Sequence, residues 1–126
     1  MAIVLMYVGQ ADDALAWLKR ATQIDPYFDP PWYWRQAGQT YMVLRRFQDA
    51  LAMFDHTPVL TYRAAALVAG CHARLEDMDR ARSSAAECLA LRPDFSIRHF
   101  MSREPFKDPA EAEYLAESLR LAGLPE

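Results

Sequence analysis

The sequence predicts an all-α fold, a superhelix of paired short helices that ends in a C-terminal capping helix. Three observations predict it. Apolar residues recur at helical spacing along most of the chain, small residues alternate with large aromatic ones, and the pattern returns at a long period. The 126 residues suffice for one domain with a modest core.

The stretch 34–57 carries this pattern most completely. Two short apolar faces are separated by Arg45-Arg46, where a tight turn fits. We expect two antiparallel helices that approach closely at Gly38 and Ala50, with aromatic rings filling the space around them. The two faces consist of Trp34, Ala37, Gly38 and Tyr41, and of Phe47, Ala50, Leu51 and Phe54.

These residues resemble the tetratricopeptide repeat, a 34-residue helix-turn-helix unit with the pattern W-x2-L-G-x2-Y followed by A-x3-F. Ala37 stands at the Leu position, and the usual closing Asp-Pro is missing after this repeat. Pro26 and Pro93 lie close to two such periods apart. The resemblance implies a right-handed α-α superhelix, a solenoid in which the first helix of each repeat lines a concave, partner-binding face.

The predicted organisation is a single domain with a partial repeat at 1–26, repeats at 31–59 and 62–94, and a C-terminal extension and cap at 95–126. Besides the pair in 31–59, we predict helices at 12–24, 62–74, 78–91, 95–101 and 109–121. Residues 2–8 read as the end of a helix that Gly9 closes. Asp108 and Pro109 are typical of a helix start, and Gly123 of a helix end. The expected buried stripe of the 12–24 helix is Ala14, Trp17, Leu18, Ala21 and Ile24.

The tail carries a second resemblance. Its segments 92–96, 104–109 and 119–126 read Arg-Pro-Asp-Phe-Ser, Glu-Pro-Phe-Lys-Asp-Pro and Leu-Arg-Leu-Ala-Gly-Leu-Pro-Glu. They are similar to the C-termini of multidomain bacterial signalling proteins, in which a class III adenylate/guanylate cyclase domain or a winged-helix DNA-binding domain precedes tetratricopeptide repeats. No cyclase or DNA-binding motif is present, so the resemblance carries over no catalytic residue.

The sequence shows no catalytic constellation. It contains no Gly-rich phosphate loop, no G-x-S-x-G and no H-E-x-x-H. The three histidines are scattered, with His72 on a packed face and His56 and His99 at the surface. The acidic pairs fit helix starts and turns. We therefore predict no enzyme activity, no cofactor and no metal site.

Bulk properties favour a soluble, cytoplasmic protein. The net charge of −3 indicates neither nucleic acid nor an anionic membrane as a partner. No segment is long and apolar enough to span a bilayer, and the N-terminus lacks the features of a signal peptide. Cys71 and Cys88 fit small core residues in a reducing compartment, the alternative being a disulfide or redox pair.

The predicted function is binding of a protein or peptide partner. Arginines on the concave face would attract a carboxylate or an acidic segment, unless they are ordinary solvated residues. Trp32 either anchors the partner or packs under the proline-rich connector, which spans Pro26 to Pro31. The candidate contact residues are Trp32, Arg35, Gln39 and Met42 in one repeat and Arg63 and Arg74 in the next, where Ala66, Gly70 and Ala73 share the face.

The apolar start of the chain predicts self-association. Ile3, Leu5, Met6 and Tyr7 would expose an apolar edge unless a second copy or an upstream domain covers it. A homodimer is the expectation we favour. The alternative function is therefore a dimerisation and regulatory C-terminal region of a bacterial cyclase or transcription regulator.

Overall fold

The structure, a computed structural model, describes residues 11–24, 31–56 and 61–126. All regular secondary structure within these ranges is helical, which confirms the all-α prediction. The chain divides into two compact units, Met1–Val59 and Leu60–Glu126. No helix in the described ranges combines the length and the apolar character needed to cross a bilayer. The predictions for 2–8, Gly9 and positions 26–30 of the proline-rich connector fall outside the described residues.

The first unit contains three described helices around a small apolar core. Helix α1 is Ala11–Ile24, α2 is Pro31–Val43 and α3 is Phe47–Phe54. Helix α2 packs against both of the others. The core joins Ala14 and Leu18 of α1 to Tyr33 and Ala37 of α2, with Trp34, Val43 and Met53 partly buried against it.

The close approach predicted at Gly38 is confirmed. A Cβ atom built on Gly38 would lie 2.7 Å from the ring of Phe54, and Ala50 is fully buried. Trp34 is partly buried. Its indole packs edge-on to Tyr33 and stacks on the imidazole of His56, with 4.0 Å between the two ring centroids. Phe54, rather than Trp34, therefore covers the glycine.

The buried stripe of α1 was predicted partly wrongly. Ala14 and Leu18 are fully buried as expected, but Trp17 is 40% exposed. The apolar face runs through Leu15 instead, so Trp17 falls on the flank of the helix. The side chains of Ala21 and Ile24 lie outside the described part.

The second unit contains four helices. Helix α4 is Tyr62–Arg74, α5 is Met78–Leu91, α6 is Ile97–Ser102 and α7 is Pro109–Leu121. The predicted bounds of α4, α5 and α7 are confirmed. Helix α6 begins two residues later than predicted, because the hydroxyl of Ser96 accepts a hydrogen bond from the backbone N–H of His99 and caps it. Asp108 caps α7 in the predicted way, through the N–H of Ala110.

Helix α4 lies between α5 and α7 and is buried on nearly every side. Its small residues permit the contact: a Cβ atom on Gly70 would lie 3.4 Å from the Cβ of Ser118 in α7. This arrangement differs from the open face expected for Ala66, Gly70 and Ala73, all of which are buried. The cause is the short α6, after which the chain turns back and lays α7 across α4.

One turn occurs in both units with the same hydrogen bonds. After α2, Arg45 N–H bonds to Met42 O and Arg46 N–H to Tyr41 O. After α4, Glu76 N–H bonds to Ala73 O and Asp77 N–H to His72 O, at the same sequence interval throughout. Arg45 and Glu76 both have left-handed backbones, with φ of 64° and 63°. Each turn is a Schellman motif that joins two helices of a hairpin.

Candidate functional site

A groove between α6 and α7 forms a concave surface in the second unit. Its cavity volume is about 380 Å³, within the range of about 300–1,000 Å³ common for small ligand sites. The apolar floor comes from Ile97 and Met101 on one helix and from Ala112 and Ala116 on the other. Ile97 is buried to 1% exposure, whereas Met101 and Ala112 are only partly covered.

The C-terminal segment closes one end of this groove. Gly123 adopts a left-handed backbone with φ of 90°, which lets the chain reverse after α7. Leu124 then donates its N–H to Leu119 O, and Pro125 O accepts a hydrogen bond of 2.8 Å from Ile97 N–H. These bonds hold Glu126 at the edge of the groove.

The α7 side of the groove carries a surplus of negative charge. The guanidinium of Arg120 forms ion pairs with three carboxylates, at 2.7 Å to Glu113 and 3.3 Å to Glu117, and also with Glu126. The hydrogen bonds that Arg120 donates to Glu113 and Glu126 raise the pKa of Arg120 above its ordinary range. Three carboxylates face one guanidinium, so the cluster keeps two negative charges.

The α6 side of the groove is positive. Arg98 lines the groove, is exposed, and forms no ion pair or side-chain hydrogen bond with any residue in the described ranges. Arg103 and Lys107, just after α6, are also exposed. The apolar floor therefore lies between Arg98 on one side and the carboxylates of Glu113 and Glu126 on the other.

The two arginines predicted as partner contacts in the second unit are engaged within the chain. Arg63 forms an ion pair with the fully buried carboxylate of Glu104, and its guanidinium lies 4.5 Å from the centroid of the Phe100 ring. Arg74 donates from Nε to Ser118 Oγ at 2.8 Å and from Nη2 to Tyr114 O at 3.1 Å. Their role in partner binding stays a prediction.

The candidates in the first unit share helix α2. Gln39 is half-buried and Met42 is 5% exposed. The Nε atom of Arg35 is buried and has no hydrogen-bond partner among the described residues. The side chain of Trp32 lies outside the described part, as do the self-association residues Ile3, Leu5, Met6 and Tyr7. No described contact tests any of these roles.

The histidines and cysteines are placed as follows. His56 and His99 are exposed as predicted, and His72 is half-buried. Cys71 and Cys88 are free and fully buried, and burial raises the pKa of their thiols to about 12 and about 11. Within the described ranges, no group of three or more His, Cys, Asp or Glu side chains could hold a metal ion.

The groove was not predicted from the sequence, because three segments that are separate in the chain form it. Helix α6, helix α7 and the C-terminal segment meet only after the chain has turned back at Glu104–Pro109. One local signal was present: Glu113, Glu117 and Arg120 recur at spacings that place them on one helical face. The acids of the similar tail segments also have structural roles, since Glu104 pairs with Arg63 and Asp108 caps α7.

Comparison with known proteins gives no family for this chain. No protein-family model matches it, and no curated protein matches it.

Proposed function

We propose that the protein is a non-catalytic interaction module of the tetratricopeptide-repeat type, a scaffold that binds a peptide or a partner domain. Its hairpins would stack as a right-handed superhelix with α7 as the terminal cap. Hydrophobic contacts and arginine hydrogen bonds would hold the partner, without turnover. The free, buried thiols of Cys71 and Cys88 fit the reducing cytoplasm that we propose as its location.

The repeated turn carries this proposal. Two helical hairpins end their first helix with the same Schellman bonds and the same left-handed residue, at Arg45 and Glu76. Each then begins its second helix in the same way, with Ala50 N–H bonded to Arg46 O and Ala81 N–H to Asp77 O. Ala50 and Ala81 are both fully buried. Such repetition of a supersecondary unit is typical of solenoid proteins.

We propose the α2 face as the partner site of this module. The matching face of α4 carries α7, which covers Gly70 and engages Arg74. On α2, Gln39 keeps partial exposure, and Arg35 has an Nε donor without a described acceptor. A partner carboxylate or carbonyl would bind Arg35 from the solvent side, where this residue keeps partial exposure.

A photo-crosslinking experiment tests the proposal. Benzoylphenylalanine would replace Gln39 in one sample and Ala86, exposed on α5, in a matched control. We expect one recurrent protein to crosslink in cell extract from position 39 and not from position 86, and then to bind the native chain as a purified protein. Equal crosslinking from both positions, or no binding by the purified protein, would overturn the proposal.

The second candidate is a dimerisation and regulatory tail of a cyclase or transcription regulator. The tail segments that carry this resemblance are built into the second unit, through the buried Glu104 and the hydrogen bond from Ile97 N–H to Pro125 O. Light scattering distinguishes the candidates. A dimer that Leu5→Asp dissociates without loss of helicity favours the regulatory tail, and a monomer over the same concentrations favours the partner-binding module.

A further inference from the structure

We propose that the groove between α6 and α7 is a second binding site, which takes a short linear peptide with an apolar anchor between an acidic and a basic residue. This inference rests on the proposed function in one respect only, that the chain binds protein segments. It concerns a different surface from the α2 face and names the chemistry of the occupant.

The floor of the groove accounts for the apolar anchor. Met101 and Ala112 are partly exposed beside the buried Ile97, so apolar area remains open to a ligand. The flexible thioether of Met101 adapts to side chains of different shape. A cavity of about 380 Å³ accommodates a few side chains and is far too small for a folded domain.

The charged residues on the two sides of the groove determine which charges flank the apolar anchor of the peptide and in which orientation the peptide binds. An acidic peptide residue would meet Arg98, whose guanidinium has no described partner. A basic residue on the other side of the anchor would meet the carboxylates of Glu113 and Glu126. Both carboxylates pair with the single guanidinium of Arg120, so one negative charge remains uncompensated. Complementary charges of this kind set orientation and specificity more than raw affinity.

A second copy of the chain fits the groove less well than a peptide. Two copies related by a twofold axis through the groove would face each other with concave surfaces, which leaves unfilled space at the centre. A stable dimer also needs about 1,200 Å² or more of buried surface, which this groove alone does not offer. A convex side chain on an extended peptide fills the same space directly.

Selection from a phage-displayed library of random heptapeptides on the full-length chain tests the proposal. We expect the enriched peptides to share an apolar position with an acid on one side and a base on the other. A synthetic peptide of that sequence should shift the amide NMR signals of α6, α7 and the C-terminal segment. Ala112→Trp should fill the groove and weaken binding at least about tenfold, whereas Ala110→Trp, at an exposed position of the same helix, should not.

A charge exchange gives the sharpest test. Arg98→Glu should weaken binding about tenfold and should be rescued when the acidic residue of the peptide becomes lysine. Arg82→Glu changes the net charge equally from α5 and should leave binding within twofold. Rescue by the exchanged peptide is not expected if Arg98 only supports the fold.

Three results would overturn the proposal. Peptides that shift only α2 signals would remove this site and leave the proposed function intact. A concentration-dependent dimer that Arg98→Glu abolishes would assign the groove to a second copy. Failure to enrich any peptide above an uncoated surface would also refute it, while the crosslinking result at Gln39 would still decide the proposed function separately.

Discussion

The ring of Phe54 lies directly on the backbone of Gly38, where an added Cβ atom would come within 2.7 Å of it. Phe54 is 6% exposed, so its ring has little room to move away. The contact joins α2 to α3 within one hairpin. It makes glycine necessary for packing at a helical position where alanine would otherwise be preferred.

Gly38→Ala should therefore destabilise the protein by about 1–3 kcal/mol, since overpacking outweighs the gain in helix propensity. Gly70→Ala is the matched control, because its Cβ would meet Ser118 at 3.4 Å and the change should stay within about 1 kcal/mol. Urea unfolding measures both. Phe54→Leu should restore part of the loss in the Gly38→Ala background, and an unchanged or raised stability of Gly38→Ala alone would contradict the packing argument.

The left-handed residues of the two turns predict stabilising substitutions. Glu76→Gly and Arg45→Gly should each raise the free energy of unfolding by about 0.5–1 kcal/mol, because glycine adopts a positive φ without steric cost. Ser83→Gly, at an exposed position inside α5, should lower it by about the same amount. Thermal unfolding followed by circular dichroism shows whether each substitution raises or lowers the stability. A loss of stability in both turn variants would refute the shared turn geometry.

The Arg63–Glu104 pair predicts strong energetic coupling. The Glu104 side chain is fully buried and that of Arg63 is 33% exposed, so removing the guanidinium leaves a carboxylate that water cannot reach and that has lost this counter-ion. A double-mutant cycle with Arg63→Met and Glu104→Gln should give a coupling energy of about 1–3 kcal/mol. The exposed Arg82–Asp79 pair, with 3.9 Å between its charged atoms, should give less than about 0.5 kcal/mol. Equal coupling in the two cycles would contradict this account.

The buried thiols predict a loss of stability at alkaline pH. Burial raises the pKa of Cys71 from 9.0 to about 12, so above pH 9 the unfolded chain releases a proton that the folded chain retains. The free energy of unfolding should then fall by about 1.4 kcal/mol per pH unit for this thiol, up to the folded-state pKa. Cys71→Ala should show a shallower decline between pH 9 and pH 11 than the parent. Parallel curves for the two proteins would show that this thiol ionises alike in both states.

Local sequence patterns predicted the structural features that depend on residues close to one another in the chain. The bounds of α4, α5 and α7 followed from apolar spacing, turn residues and the Asp108–Pro109 start, and the Gly38 contact followed from alternating small and large residues. Contacts between distant segments were not predictable in this way. Nothing near Arg63 in the sequence points to Glu104, and nothing near Arg74 points to Ser118, because both contacts depend on the path of the chain after α6.

The exposure of Trp17 shows a second limit of sequence patterns. A helical stripe can be drawn through Ala14, Trp17 and Leu18 or through Ala14, Leu15 and Leu18, and the packing partner decides between them. The structure buries Leu15 to 8% exposure. The same limit applied to the α6–α7 groove, since the groove requires a bend at Glu104–Pro109 that periodicity does not encode.

The contacts of Arg74 with α7 predict that this residue helps to hold α7 on α4. Its guanidinium lies 3.8 Å from the centroid of the Tyr114 ring while it donates to Ser118 Oγ and Tyr114 O. Lysine cannot reproduce the stack and both directed bonds together, so Arg74→Lys should lower stability by about 1 kcal/mol. Amide hydrogen exchange should accelerate in α7 by a larger factor than in α5, because Arg74 makes these contacts with α7 and not with α5. Arg80→Lys, at an exposed position of α5, should leave both rates unchanged. Equal acceleration across the second unit would indicate a general loss of stability rather than release of this helix.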